Sequence, residues 1–547
     1  MGFSSDLRNA GLNADVVEKL SRFDPTFDEA IIFKTMPETS TAYDSLPYPS
    51  YTFPQTHPDR LSVLGKLSGV DTANPEDCRV LELGCGDGTN LISAGYSLPQ
   101  SDFVGIDLSG VHISKGIGMT QKLGIENVNL LHADIAHIDL TELGKFDFIV
   151  AHGLFSWVPA PIRKCLLEIF KNCLEPNGIG YLSYNAYPGC HLRKISSGIM
   201  KFGAGAAAGP SEKVEKGINM LRLVGRAAEK DSLYQRLLEI ELEQIVDRSP
   251  QNVFHDDLAE INQPFYFHEF VQLIEEVGMQ FVSESDPKAS NIRRFDNNAQ
   301  ELLSSFEDRI RREQIIDLIT CRRFRSSLIC RDNIVLAHSR SESVIREKLF
   351  ISANLRPEMP TSEIDGPAPM KFIGANDVSV ESNQPLMKAV LSTLGESVVR
   401  GSRFEDLIST ASSIVSPEYL TDDAIGLCTA YLLQMFEGGL VTLRNYQPNA
   451  AMSPGKFPTA SRFARFQIED GSQSVTMLTG ANLTPENDAS RLLISLLDGS
   501  RTRDDLIKEM KASIAVPAHE RTAFENGLPG MIDLELKKFA DAGLLHQ

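Results

Sequence analysis

The segment Val80-Leu81-Glu82-Leu83-Gly84-Cys85-Gly86-Asp87-Gly88-Thr89-Asn90 restricts the fold of this chain more than any other part of it. A short apolar run of strand type ends in three alternate glycines and leads directly into a helix. Glycine there lets the backbone turn sharply and lets a ligand approach the main chain. The unpaired N–H groups at the start of the following helix favour an anionic group. Short apolar runs separated by helical stretches continue downstream, with strands expected at 79–83, 102–106, 128–132, 146–151, 179–184, 279–283 and 324–330. This alternation predicts an α/β fold with a Rossmann-like, doubly wound, seven-stranded sheet, whose ligands lie beyond the carboxyl ends of the strands. A hairpin-like final pair is expected to close the sheet near residue 335.

At 547 residues the chain exceeds one hydrophobic core, so several domains are expected. Residues 1–70 read as a helix (14–23) followed by an extended aromatic arm or lid, with Tyr43, Tyr48, Tyr51 and Phe53 spaced by Pro47, Pro49 and Pro54. The core is placed at 71–335, with helical insertions at about 190–250 and 288–322. The remainder, 340–547, is expected to be mainly helical and regulatory or interactive. There, Gly401-Ser402-Arg403 followed by Asp406-Leu407-Ile408 recurs as Gly499-Ser500-Arg501 followed by Asp505-Leu506-Ile507, and the copies end at Gly439-Leu440 and Gly543-Leu544. Two repeated winged-helix-like units account for this; so does chance similarity between helical segments.

A net charge of −20 argues against a broad nucleic-acid footprint, and nucleic acid is not an expected partner. The clusters Arg309, Arg311, Arg312 and Arg322, Arg323, Arg325 read as solvated helix faces and a packed strand edge. The eight cysteines form no CxxC pair, so neither disulfides nor a structural metal is expected. With no signal-like amino terminus and no apolar run of spanning length, a soluble cytoplasmic protein is expected.

The dinucleotide fingerprint G-x-G-x-x-G needs glycine where this chain has Thr89, and Glu82 ahead of the loop is foreign to it. The E-x-G-x-G-x-G form instead resembles the first motif of class I S-adenosylmethionine-dependent methyltransferases. That resemblance implies S-adenosylmethionine as cofactor, held by Glu82, Gly84, Cys85, Gly86, Gly88 and Asn90 around its methionine part. Asp107, followed by Leu108, would take the ribose hydroxyls, and Asp134 and Ile135 the adenine. The plain alternative for Asp134 is a helix cap. Tyr43 and His57 from the arm, and His152 after the fourth strand, complete the expected cofactor contacts.

Several segments outside the loop narrow the likeness. They are Tyr43-Asp44 with Pro47-Tyr48-Pro49-Ser50, Thr56 to Leu61 (THPDRL), His152 to Pro159 (HGLFSWVP), Ser183-Tyr184-Asn185-Ala186-Tyr187-Pro188-Gly189, and Asn262 to Phe270 (NQPFYFHEF). Over roughly residues 40–335 they resemble the bacterial methyltransferases with a regulatory domain, whose characterised members are rickettsial protein lysine methyltransferases acting on an outer-membrane protein. The resemblance implies a protein substrate and a homodimer. A lysine acceptor is protonated at neutral pH, with roughly one molecule in 2,500 neutral, so a desolvating aromatic slot is expected. Its candidates are Tyr43, Tyr48, Phe155, Trp157, Tyr184 and Tyr187. Asn185 would orient the amine, with Tyr187, His152 and Trp157 as further catalytic candidates. A small-molecule O- or N-methyltransferase and a non-catalytic sensor or scaffold that binds the cofactor remain the alternatives.

Overall fold

The computed structural model describes residues 46, 48 and 50–547, except 206, 208, 338, 359–363, 375–377, 396–397 and 518. The expected helix at 14–23 and Tyr43 lie outside the described residues.

Seven strands, β1 (Arg79–Leu83), β2 (Asp102–Asp107), β3 (Val128–His132), β4 (Phe146–Ala151), β5 (Leu174–Asn185), β6 (Met279–Glu284) and β7 (Phe324–Arg331), form one sheet in the order β3-β2-β1-β4-β5-β7-β6. The first five are parallel, and β7 runs antiparallel to both β5 and β6. Strand order reverses between β1 and β4, which places a crevice beyond their carboxyl ends. The register sets Glu82 of β1 between Gly105 of β2 and Val150 of β4.

Side-chain alternation sorts each strand between two apolar layers. Helices α1 (Pro58–Leu67), α2 (Thr89–Ser97) and α3 (Gly110–Leu123) cover the face that carries Val80, Phe103, Val150 and Tyr181. Helix α3 starts where Ser109 Oγ accepts the His112 N–H at 3.2 Å and stops where Gly124 takes a left-handed φ of +69°. Helix α4 (Ala160–Cys173) packs on the face that carries Leu81, Ile149, Leu182 and Tyr184. After β5 the chain leaves the sheet as α5 (Gly189–Ala204), α6 (Pro210–Ala227), α7 (Leu233–Val246) and α8 (Pro250–Asp257), which bury a small core of Met200, Val214, Leu221, Leu238 and Ile245. It returns through α9 (Phe267–Glu275) to β6, and α10 (Asn297–Ser304) and α11 (Arg309–Thr320) precede β7.

Of the arginines expected at a packed strand edge, Arg325 lies on β7, an interior strand between β5 and β6, and Arg322 and Arg323 precede it. Arg325 of β7 is fully buried, with Nε 2.7 Å from Asp317, Nη1 2.8 Å from Glu284 and Nη2 3.0 Å from Glu313, and its guanidinium lies 3.8 Å from the Phe267 ring centroid. Arg322 pairs with Asp317 at 3.0 Å, and Arg323 pairs with Glu241.

Beyond the sheet, short strands Phe350–Ser352, Ser402–Arg403 and Thr442–Arg444 pair around helices Phe404–Ser412 and Asp422–Gly438. A second unit contains helix Arg462–Glu469, a hairpin of Val475–Thr476 with Asn482–Leu483, and helices Asp488–Leu496, Arg503–Ser513 and Arg521–Ala542. The two copies of the sequence repeat occupy like positions. Gly401 and Gly499 turn with φ of +69° and +83°, Leu407 and Leu506 are buried, and Gly439 and Gly543 end the last helix at +73° and +80°. Among the described residues no helix is long and apolar enough to cross a membrane.

Arg325→Leu strands three buried carboxylates without their shared cation. A stability loss of about 3–5 kcal/mol is expected, read as an earlier first transition in urea unfolding followed by tryptophan and far-UV signals.

Candidate active site

The loop after β1 is built by left-handed glycines: Gly84, Gly86 and Gly88 have φ of +72°, +59° and +72°. At Gly84 and Gly88 a Cβ would meet Leu154 at 3.2 Å and Leu130 at 2.7 Å, so these two serve packing. At Gly86 nothing lies within 4 Å of the Cβ position, and the same holds for Gly153 after β4 at φ +63°. These open backbones fit a ligand that approaches the main chain.

Gly84 and Cys85 donate their N–H groups to Ile106 at 2.8 and 3.1 Å, which ties the loop to β2. Asp107, at the end of β2, accepts the Gly86 N–H at 2.8 Å on one oxygen and the Ser109 N–H at 2.8 Å on the other. Each carboxylate oxygen keeps a further lone pair for a hydroxyl donor. Burial pushes the Asp107 carboxyl above its usual range against these two bonds. Leu108 beside it is 43% exposed, an apolar surface at the crevice. In the turn after β3, Asp134 accepts the Ala136 N–H at 2.9 Å and lies 3.0 Å from His137 Nδ1, the cap-like bonding of its plain alternative, and Ile135 is half-buried next to it.

Glu82 and Asn90 are joined to each other beneath the loop. Glu82 is buried, and both its oxygens accept from Asn90 Nδ2 at 3.1 and 3.2 Å. Burial raises its carboxyl to about 8. Asn90 also donates to Thr56 Oγ1 at 2.9 Å and accepts the Phe53 N–H at 2.9 Å. Its amide thus bonds to protein groups on both ends. His57, the other residue expected at the cofactor from this part of the chain, is held by α1 and the carboxy-terminal region. Its Nδ1 accepts the Asp59 N–H at 3.2 Å to cap α1, its Nε2 lies 3.5 Å from Ser97 Oγ, and its ring stacks on Tyr446. Burial holds its pKa down at about 3, so it is a neutral joint to the carboxy-terminal region.

Across the crevice, His152 follows β4. Its Nδ1 lies 2.9 Å from Tyr181 Oη and 3.3 Å from Ser183 Oγ, its ring centroid is 4.0 Å from that of Phe53 and 6.0 Å from Phe324, and burial lowers its pKa to about 4. Asn185, buried at the end of β5, donates Nδ2 to Asn262 Oδ1 at 2.8 Å, and among the described residues nothing donates to its Oδ1. Tyr187 stacks on His191 at 4.0 Å, and its hydroxyl accepts from Lys194 at 2.6 Å. Trp157 is half-buried in the turn before α4, and its N–H donates to Leu154 at 2.9 Å. Tyr48 of the arm meets Tyr51 edge-on at 6.4 Å and lies 5.8 Å from His255.

Two aromatic candidates belong to the core instead. Tyr184 stacks on Phe270 at 4.1 Å, and Phe155 packs against Phe265 and Phe270. Alternation on β5 is the reason: Tyr181, Ser183 and Asn185 share the crevice face, and Tyr184 points the other way. Tyr181 has no sign in the sequence motifs, and Phe53, Ser183 and Gly153 stand in the arm and the motifs without an assigned role. The period of two that ends at Asn185 was the available signal for Tyr181 and Ser183.

Three family models match the chain: a methyltransferase domain at 74–208, a predicted methyltransferase regulatory domain at 249–331, and a PKMT carboxy-terminal winged helix domain at 457–544. A Rickettsia prowazekii protein designated RP789 is 31% identical over 377 residues, covering 68% of this chain and 68% of its own length. The structure of PKMT2 from Rickettsia typhi superposes with a TM-score of 0.81 at 26% identity, over 91% of this chain and all of that one. The same protein in complex with AdoHcy gives 0.81 at 25% identity.

Two variants test the site. Asp107→Ala is expected to weaken S-adenosylmethionine binding by about 1–3 kcal/mol in calorimetric titration; equal affinity in a folded variant would remove Asp107 from the site. For Glu82 the folded-state pKa of about 8 lies above its ordinary 4.5, so the unfolded chain releases that proton first as pH rises. Its contribution to stability is therefore complete below about 4.5 and declines up to about 8. Glu82→Gln should flatten that decline, gaining on the parent protein in melting temperature between pH 5 and pH 8 in the absence of cofactor.

The seven-stranded sheet with its open glycine loop at the switch point and these likenesses lead to one conclusion. The chain belongs to the class I S-adenosylmethionine-dependent methyltransferases that carry a methyltransferase regulatory domain, the family of the rickettsial PKMT proteins.

Proposed function

We propose that the chain methylates lysine side chains of protein substrates. The observation that carries this reading is the aromatic enclosure after β4, where Phe53, Tyr181 and Phe324 surround His152 and burial lowers its pKa to about 4. A lysine ammonium entering the same surroundings meets the same desolvation penalty and is pushed toward the neutral amine, the form with a nucleophilic lone pair. The likeness to a protein designated PKMT2 supports the same choice of acceptor.

Bound S-adenosylmethionine supplies an electrophilic methyl group on a sulfonium. The chain's own task is to align the amine and exclude water. Asn185 Oδ1, with Nδ2 fixed on Asn262, is placed to accept one amine N–H and so direct the lone pair.

Incubation with methyl-labelled cofactor in a lysate of the source cells, depleted of small molecules in one arm and of proteins in the other, tests the acceptor. Label is expected in the protein arm, on lysine after hydrolysis. Label confined to metabolites would favour a small-molecule methyltransferase, and tight cofactor binding with no transfer in either arm would favour a sensor.

A further inference from the structure

The arm is shared between two domains. At Ser50 its hydroxyl donates to Asp87 of the glycine loop, where Lys115 Nζ also lies 2.8 Å from the same carboxylate. At Phe53 its N–H reaches Asn90 and its ring rests on His152. The arm therefore crosses the crevice from the loop after β1 to the loop after β4, the two loops that flank the switch point.

Thr52, between these contacts, is gripped from the far end of the sequence. Asn482 Oδ1 accepts from Thr52 Oγ1, and Asn482 Nδ2 donates to the Thr52 carbonyl at 3.0 Å, so both ends of one amide hold one residue. Thr52 Oγ1 lies 3.2 Å from Thr476 Oγ1, which Gln467 Nε2 holds at 3.0 Å. Asn482 and Thr476 belong to the paired segments Val475–Thr476 and Asn482–Leu483, a hairpin between the first two helices of the second unit, here termed its wing. The turn of that wing, Gly480 at φ +78°, presses on His57: a Cβ there would lie 3.1 Å from the imidazole. Other contacts of the unit with the enzyme bypass the arm. Arg462 donates to the carbonyls of Lys122 and Leu123 at 2.6 and 3.1 Å, and His546 meets Tyr96 at 2.9 Å.

We infer that the wing is a latch on cofactor exchange. The arm lifts to admit S-adenosylmethionine and to release S-adenosylhomocysteine, and the Thr52–Asn482 pair sets how often it does so. Asn482 is thus a positioning residue that acts through Thr52 and Phe53. The wing of this unit is occupied within the chain.

Asn482→Ala, read by the rate of S-adenosylhomocysteine dissociation in stopped-flow displacement, is expected to release the ligand roughly five- to tenfold faster, the equivalent of losing a pair of hydrogen bonds. KM for S-adenosylmethionine should rise with kcat at saturation undiminished. Thr52→Val, which keeps its carbonyl bond to Asn482 Nδ2, should give an intermediate rate, and the double variant should match Asn482→Ala alone. Arg462→Ala, which loosens the docking of the same unit without touching the arm, should stay within about twofold of the parent. If Asn482→Ala does not fold, Asn482→Asp keeps the acceptor for the Thr52 hydroxyl and loses the donor, and an intermediate rate is expected. An unchanged rate in a folded Asn482 variant, an additive double variant, or an equal acceleration by Arg462→Ala overturns the latch. Dissociation needs no methyl acceptor, so this outcome is independent of which acceptor the enzyme uses.

Discussion

A carboxyl group buried at the end of β1 without a cation beside it organises the catalytic half of the molecule. Glu82 faces the low-dielectric seam between Gly105 and Val150, and its only hydrogen-bond donor among the described residues is Asn90. A lone buried carboxylate is costly, and the group responds by holding its proton to about pH 8. The demand for a donor fixes the first turn of α2 against the strand. The remaining capacity of the Asn90 amide then fixes Phe53 and Thr56 of the arm. Loop, helix and arm thus meet at one side chain. On β7, farther across the sheet, the solution differs: Arg325 gathers three carboxylates, and its burial is tolerated because every guanidinium edge is paired.

That arrangement explains which parts of the structure were legible in the sequence. The strands, their order of appearance and the glycine loop were readable because their signals are local: apolar runs, a period of two, and positions that need a positive φ. Asp107 and Gly86 followed from their place at strand ends. Tyr184 and Phe155 lie near strand ends, where slot residues are expected, but with Asn185 facing the other way alternation alone sends Tyr184 to the core. Nothing local in the sequence announces that Asn90 joins Glu82 to the arm or that His57 stacks on Tyr446. The contact of Thr52 with Asn482 joins residues 430 positions apart, and no periodicity or motif announces such a pairing.

The repeated units of the carboxy-terminal region also diverge in how they attach. The first shares the apolar layer under the sheet: Ile351, Leu391, Leu407 and Leu443 belong to the same continuous core as Val80 and Phe103. Separating it would expose that core to water, at a cost that scales with the apolar area uncovered. The second has a core of its own, with Leu493, Leu506, Ile532 and Phe539. Its ties to the enzyme mix the two kinds: Phe463, stacked on Tyr96 at 6.3 Å, reaches the core of the sheet, Leu478 clusters with Tyr96 and Val399, and Asn482, Arg462 and His546 add hydrogen bonds.

This difference bears on which unit is able to move. A hydrogen bond broken at a protein surface is replaced by one to water, so its net loss is near 1 kcal/mol, whereas an opened apolar core finds no such replacement. The second unit, with a core of its own and fewer residues in the core of the sheet, therefore opens at less cost than the first. Because the same wing holds Thr52, and Thr52 is adjacent to the Phe53 that closes on His152, small displacements there reach the crevice through one peptide unit. The first unit, fused to the sheet through its core, supplies the fixed base against which such a movement is made.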